Sequence, residues 1–222
     1  MPVHMKHEID KLKQNLVNLC SVVEEELWQA VKSVKNADAD LAAKVIGNDQ
    51  KIDDREVEIE EECLKILALY QPVAIDLRFI ITAMKINNDL ERIGDLTVNI
   101  AERSQFLANQ PQVPIPFDFE SMTEKTQAML RKSVDALVKM DCQIAHEVCM
   151  SDDKVDAINR QMYDQVKKEI VKHPDWVEQL IHLLSISRHL ERIADHTTNI
   201  AEDVIYMVEG KIVRHTTEKF GS

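Results

Sequence analysis

Basic charge is what this sequence is shortest of. Its 222 residues hold 27 Lys and Arg against 39 Asp and Glu, for a net charge of −12. Nucleic-acid binding and charge-driven docking on an anionic membrane both need a basic patch, so neither class is expected. Glycine (4) and proline (6) are scarce, and aromatics make up only 5%. So few turn formers, with abundant Leu, Ile, Val, Glu and Lys, argue against sheet and for long helices. No run of about 18 apolar residues exists, so no membrane span is expected. Met1–His7 lacks the apolar stretch of a signal peptide. Four cysteines (Cys20, Cys63, Cys142, Cys149) form no CxxC pair and sit beside apolar residues, as reduced, core-filling thiols do. The expected location is cytoplasmic. There is no Gly-rich phosphate loop, no HExxH and no locally supported Ser/His/Asp or Cys/His arrangement.

What is present is helical periodicity. Ile9, Leu12, Leu16, Leu19, Val23, Leu27, Val31 and Val34 follow one another in steps of three and four, so residues 5–35 read as an amphipathic helix. Asn36–Asp40 reads as a stop and restart with Asp38 as N-cap. A second helix is expected over about 39–69, ending before Pro72, and a third over about 73–108. Residues 109–117 hold three prolines in nine positions and form the expected linker. Helical patterns resume at about 118–140, 142–172 and 175–208, with Pro174 at the last break; the tail after Gly210 is polar and expected to fray.

The chain repeats itself. Residues 90–102 read LERIGDLTVNIAE and residues 190–202 read LERIADHTTNIAE, identical at ten of thirteen positions. Earlier positions match at an offset of 103: Asp38 with Asp141, Asp49 with Asp152, Lys51 with Lys154, Asp53 with Asp156. The change of offset falls near Pro72 and Pro174, where a turn absorbs it. The expected fold is all-α: two tandem, pseudo-symmetric three-helix bundles, one over 1–110 and one over 118–222.

The repeated segments carry carboxylates four apart: Asp49/Asp53, Glu91/Asp95, Asp152/Asp156 and Glu191/Asp195. That spacing puts both members of a pair on one helical face, where like charges repel unless a cation sits between them. Folding the first hairpin about residue 71 puts Asp53 18 residues before the turn and Glu91 20 after; Asp49 and Asp95 stand at 22 and 24. At about 1.5 Å per residue these partners match in depth to about 3 Å. In the second hairpin Asp156 is level with Glu191, and Asp152 with Asp195. Four carboxylates gathered at one level would suit magnesium, manganese, calcium or iron, with zinc possible, and two or more metals could share them. Glu191 and Asp195 border the apolar stripe of their helix rather than oppose it. The expected site is therefore at a bundle edge, partly open, with coordination positions left for water or an anion such as phosphate. Asn99 and Asn199 continue each stripe and could add an amide oxygen, or equally a helix-to-helix hydrogen bond.

His182, His189 and His196 repeat every seven residues and read as a solvated or interface stripe. Trp28 and Trp176 are expected to pack. Arg160–Lys172 reads as a solvated face, and Arg92 and Arg192 could pair with some of the acids.

The duplicated LERIGDLTVNIAE and LERIADHTTNIAE segments, the entry Gln71-Pro-Val-Ala-Ile-Asp-Leu-Arg78 and Asp49-Gln-Lys-Ile-Asp53 with its second-half counterpart resemble the PhoU family, accessory regulators of bacterial phosphate uptake. The resemblance covers nearly the whole chain. It implies tandem three-helix bundles and metal clusters held by E/D-x-x-x-D motifs, here Asp49/Asp53 with Glu91/Asp95 and Asp152/Asp156 with Glu191/Asp195. It implies iron first, then zinc, magnesium or manganese. It also implies a non-catalytic role in repressing phosphate-starvation signalling through the phosphate transporter's ATPase subunit and a sensor histidine kinase, and a homodimer. Two other readings compete: a di-iron carboxylate oxidase and a metal-free helical adaptor. Such oxidases use Glu-x-x-His pairs, and no Glu here has a His three residues later.

Overall fold

The computed structural model describes residues 3–211. Among them six α-helices follow one another with no strand: α1 (Val3–Asn36), α2 (Ala39–Tyr70), α3 (Ala74–Ala108), α4 (Phe119–Lys139), α5 (Cys142–Lys172) and α6 (Val177–Glu209). The polar tail expected to fray lies outside the described residues beyond Lys211. No described helix is long and apolar enough to cross a membrane.

The helix breaks have local causes. After α1, Ala37 turns left-handed (φ 50°) and the Asp38 N–H reaches back to Ser33 O at 2.9 Å. Asp38 then caps α2, its carboxylate accepting from the Leu41 N–H at 2.9 Å. The α4–α5 junction repeats this device: Met140 has φ 54°, Asp141 N bonds Ala136 O at 3.0 Å, and the Asp141 carboxylate accepts from Gln143 and Ile144. A left-handed non-glycine residue costs about 1–2 kcal/mol, and the cap that follows returns about 1 kcal/mol. The other two turns differ. Before α3, Gln71 (φ 47°) closes α2, and Val73 starts the new helix without a side-chain cap. Before α6, Pro174–Trp176 forms a single 3-10 turn with His173 stacked on Trp176 at 3.8 Å. Residues 175 and 176, expected in the sixth helix, therefore belong to this turn.

α3 and α6 are the central helices. α3 packs against α1, α2 and α6, and α6 against α3, α4 and α5, so the two three-helix units meet back to back. Matched residues of the repeat fill the same core positions: Leu90 and Leu190, Ile93 and Ile193, Ala101 and Ala201 are all completely buried. Burying one such leucine or isoleucine contributes roughly 1.5–3 kcal/mol. The proline-rich segment lies against the protein rather than away from it. Phe117 is buried edge-on against Phe119, with ring centres 6.0 Å apart, and Val113 and Ile115 pack on the core.

One expectation changes here. Trp28 is 47% exposed, its ring covered by Lys32 Nζ at 4.6 Å from the centroid, so it is not a core residue; it lines a surface groove with Gln127 and Arg131 of α4. Trp176 does pack on the core. Of the two readings of the histidine stripe, the interface one fits. His182 stacks on Phe106 of α3 at 3.9 Å, and His196 Nδ1 lies 2.8 Å from Asp89 Oδ1, also on α3. His189 is pushed down to about 4 by burial first and then by Arg103, Arg192 and Arg188, so it is neutral at pH 7.

Candidate metal centres

Each half brings three aspartates together. Asp49 and Asp53 from α2 and Asp95 from α3 each offer a carboxylate oxygen, and these oxygens lie within 4.8 Å of one another. Asp152 and Asp156 from α5 and Asp195 from α6 form the same grouping in the second half. Both sit at bundle edges: the first three residues and Asp152 and Asp156 are partly buried, and Asp195 is exposed.

The groupings contain three carboxylates rather than the four expected, because Glu91 and Glu191 lie to one side. Side chains on a helix lean toward its N-terminus. In an antiparallel pair the two helices therefore lean in opposite directions. Asp49 and Asp53 lean away from the α2–α3 turn and Asp95 leans toward it, so Asp95 drops between them. Glu91 drops further, to the level of Asp53 and Glu56, both of which raise its carboxyl. Glu191 is placed likewise beside Asp156 and Asn159. Asn159 stands at offset 103 from Glu56, so an amide in one half replaces a carboxylate in the other.

The crowding shows in the protonation of the acids. Asp49 is raised by burial first and then by Asp53, Asp95 and Glu102. Asp152 is pushed up to about 7 by burial, then by Asp195, Asp156, Asp153 and Glu191. Asp195 is raised by burial and Asp156, against relief from His196 and Arg192. Glu91 is raised by burial and Asp95, with Arg92 opposing, and Glu191 by burial, Asp195 and Asp156, with Arg188 and Asn159 opposing.

The arginines compensate weakly. Arg92 lies 3.6 Å from Asp95 Oδ2 and 3.4 Å from Glu91 Oε2, yet Glu91 Oε2 is buried without a hydrogen bond. Arg160, which the sequence reading did not pair with an acid, stands 3.7 Å from Asp156 and is 70% exposed. Long, exposed pairs of this kind are worth about 0–1 kcal/mol. Asp152 Oδ1 is also buried without a partner. An all-oxygen donor set with an orphaned buried carboxylate oxygen fits a hard cation.

Of the asparagines, Asn99 donates to the Asp95 carbonyl at 2.8 Å on its own helix. Asn199 donates to Asp89 Oδ1 of α3 at 3.3 Å, the helix-to-helix bond of the two readings. Glu102 was not singled out in the sequence, although it acts on Asp49. Its counterpart Glu202 acts on Cys149. The signal was present: both lie seven residues beyond Asp95 and Asp195, two turns along the same face, and both fall within the repeat. The four thiols are free; Cys20, Cys63 and Cys149 are pushed up to about 12, chiefly by burial, and stay protonated at neutral pH.

Comparison with known proteins agrees with the duplication. A family profile described as "PhoU domain" matches twice, over residues 16–104 and 119–204. A phosphate-specific transport system accessory protein PhoU homolog of Aquifex aeolicus is 37% identical, covering 94% of this chain and 94% of its own. The homolog of Clostridium acetobutylicum is 34% identical over 93% of this chain and 94% of its own. The crystal structure of PhoU from Pseudomonas aeruginosa superposes with a TM-score of 0.90 at 33% identity, covering 93% of this chain and 99% of that one.

Proposed function

Because the chain belongs to the PhoU domain family, we propose that it is a metal-binding, non-catalytic regulator of phosphate uptake and phosphate-starvation signalling. Regulation of phosphate transport follows from relatives named as accessory proteins of phosphate-specific transport systems. Such a regulator works by contact, here with the phosphate transporter's ATPase subunit and a sensor histidine kinase, in the cytoplasm and as a homodimer.

The observation that carries the metal-binding half of this reading is the paired triad, with Asp49, Asp53 and Asp95 repeated as Asp152, Asp156 and Asp195. One acidic triad on a surface means little. Two in matched positions, with Asp49 raised in one and Asp152 and Asp195 raised in the other, support a role for a bound cation. Iron is the first candidate, with zinc, magnesium or manganese as alternatives. These aspartates would hold the ion, with Glu91 and Glu102 beside the first triad and Glu191 beside the second. A bound cation would neutralise the crowded carboxylates, tie α2 to α3 and α5 to α6, and leave positions for water or inorganic phosphate.

Elemental analysis of protein purified without chelator tests this. The wild type is expected to carry at least two metal ions per chain. The pair Asp49→Asn/Asp53→Asn should lose the first-half metal alone, and Asp152→Asn/Asp156→Asn the second-half metal alone. Trace metal in the wild type after loading, or unchanged content in both pairs of variants, would leave a metal-free helical adaptor.

A further inference from the structure

The turn between α2 and α3 exposes more apolar surface than the chain reversal requires. Ile75 is 61% exposed, Leu77 39% and Ile81 38%, and Val73 beside them is 73% exposed. Ile75, Leu77 and Ile81 surround an open cleft of about 480 Å³ together with Arg78 and with Tyr206 of α6.

The other half is an internal control. At an offset of 100, Ile75 corresponds to Asp175 and Arg78 to Glu178. That turn reverses the chain with a proline, a 3-10 turn and a partly buried Trp176. The second half thus carries acids where the first carries Ile75 and Arg78, although Ile181, the counterpart of Ile81, is itself exposed, and no described residue covers the first-half cluster.

Two features define what would cover them. α3 begins without a side-chain cap hydrogen bond, with Asp76 the one acid of its first turn. Arg78 stands in the cleft, packed so closely on the α6 terminus that a Cβ on Gly210 would meet its Nη1 at 2.2 Å. Its Nε is buried with no hydrogen-bond partner. A positive centre ringed by aliphatics, on a chain of net charge −12, complements an apolar segment that carries a carboxylate. Arginine binds carboxylates through two parallel hydrogen bonds, and an aliphatic ring excludes the water that would weaken them.

We infer that this cleft is a docking site for an apolar protein segment that brings a carboxylate to Arg78. On the reading above, on which this assignment rests, that segment belongs to the phosphate transporter's ATPase subunit. The fold supplies the site asymmetrically, so one half of the duplicated chain docks and the other does not.

Calorimetric titration of the full chain with the purified ATPase subunit tests the assignment. Ile75→Glu is expected to weaken binding at least tenfold. Arg78→Gln should weaken it and flatten its dependence on salt, since the lost contact is ionic. Ile181→Glu, at the second-half counterpart of Ile81 and itself 50% exposed, should bind as the wild type does. The mutated side chains of Ile75 and Ile181 are surface residues, and unchanged melting curves would confirm folding. Wild-type affinity in both Ile75→Glu and Arg78→Gln, or an equal loss in Ile181→Glu, overturns the inference while leaving the transporter reading intact. A wild type that fails to bind the ATPase subunit removes the transporter reading itself, and this assignment with it. Sedimentation velocity covers the remaining occupant: a wild-type dimer split by Ile75→Glu would assign the cleft to a second copy and overturn the inference.

Discussion

In the first half all three aspartates are partly buried and neighboured by Glu56; in the second Asp195 is exposed while Asp152 has a buried, unpartnered oxygen, and Asn159 stands where Glu56 was. Burial and four neighbouring acids push Asp152 up to about 7. The repeat therefore preserves donor geometry while changing the solvation and charge around it. Duplication keeps the core residues that hold helix to helix, and the rim is free to diverge. On the proposed reading, two sites of one ancestry would bind the same class of ion with different strength and different pH dependence.

The largest expected effects break the comparison in the core. Leu90→Ala and Leu190→Ala each remove a completely buried side chain at matched positions, and each should cost about 2–5 kcal/mol. Similar losses by chemical denaturation would show that the halves are equivalent in packing. A loss confined to one would show that the central helices are unequal, although their sequences match.

Metal removal comes next. An ion present at a hundred times its dissociation constant stabilises the fold by about 2.7 kcal/mol. At about 2–4 °C per kcal/mol for a chain of this size, complete chelation of one ion from each half should lower the melting temperature by roughly 10–20 °C. Neutralising Asp49 and Asp53, or Asp152 and Asp156, divides that shift between the halves.

A smaller effect concerns pH in the metal-free protein. The folded Asp152 titrates at about 7 against an ordinary 3.8, so the folded state binds the proton more tightly than the unfolded chain. Its favourable contribution is complete below about pH 3.8 and is lost as pH rises through about 7. Asp152→Asn should therefore stabilise the metal-free protein above pH 7, by on the order of 1 kcal/mol after solvent screening. The gain should fade by pH 4, and Asp49→Asn should show less. Melting curves from pH 4 to 8 read both, and an Asp152→Asn protein less stable than wild type at pH 8 would deny the crowding.

The smallest effect compares the caps. Asp141 accepts from two backbone N–H groups and Asp38 from one. Alanine should cost about 1 kcal/mol at each, with Asp141→Ala the larger loss in thermal unfolding.

Much of this was legible in the sequence for physical reasons. Prolines 72 and 174 and aspartates 38 and 141 end and begin helices by local chemistry, so the six elements could be read without tertiary information. Depth matching across each hairpin brought Asp49, Asp53 and Asp95 to one level because rise per residue is fixed. Glu91 and Glu191 fall outside the triads because depth counted along the backbone omits the opposite lean of side chains in antiparallel helices. Trp28 stays half exposed because Lys32 covers its ring, a contact the helical period alone does not reveal. The histidine stripe showed its period but not its partner, since which helix faces α6 depends on how the halves dock.

Anomalous diffraction at the iron absorption edge, on crystals grown from chelator-free protein, tests the central claim most directly. Peaks are predicted between Asp49, Asp53 and Asp95 and between Asp152, Asp156 and Asp195, with a shift of edge identifying zinc or manganese in iron's place. Fully occupied water at both triads, with no anomalous signal at any transition-metal edge and no magnesium by elemental analysis, would contradict it.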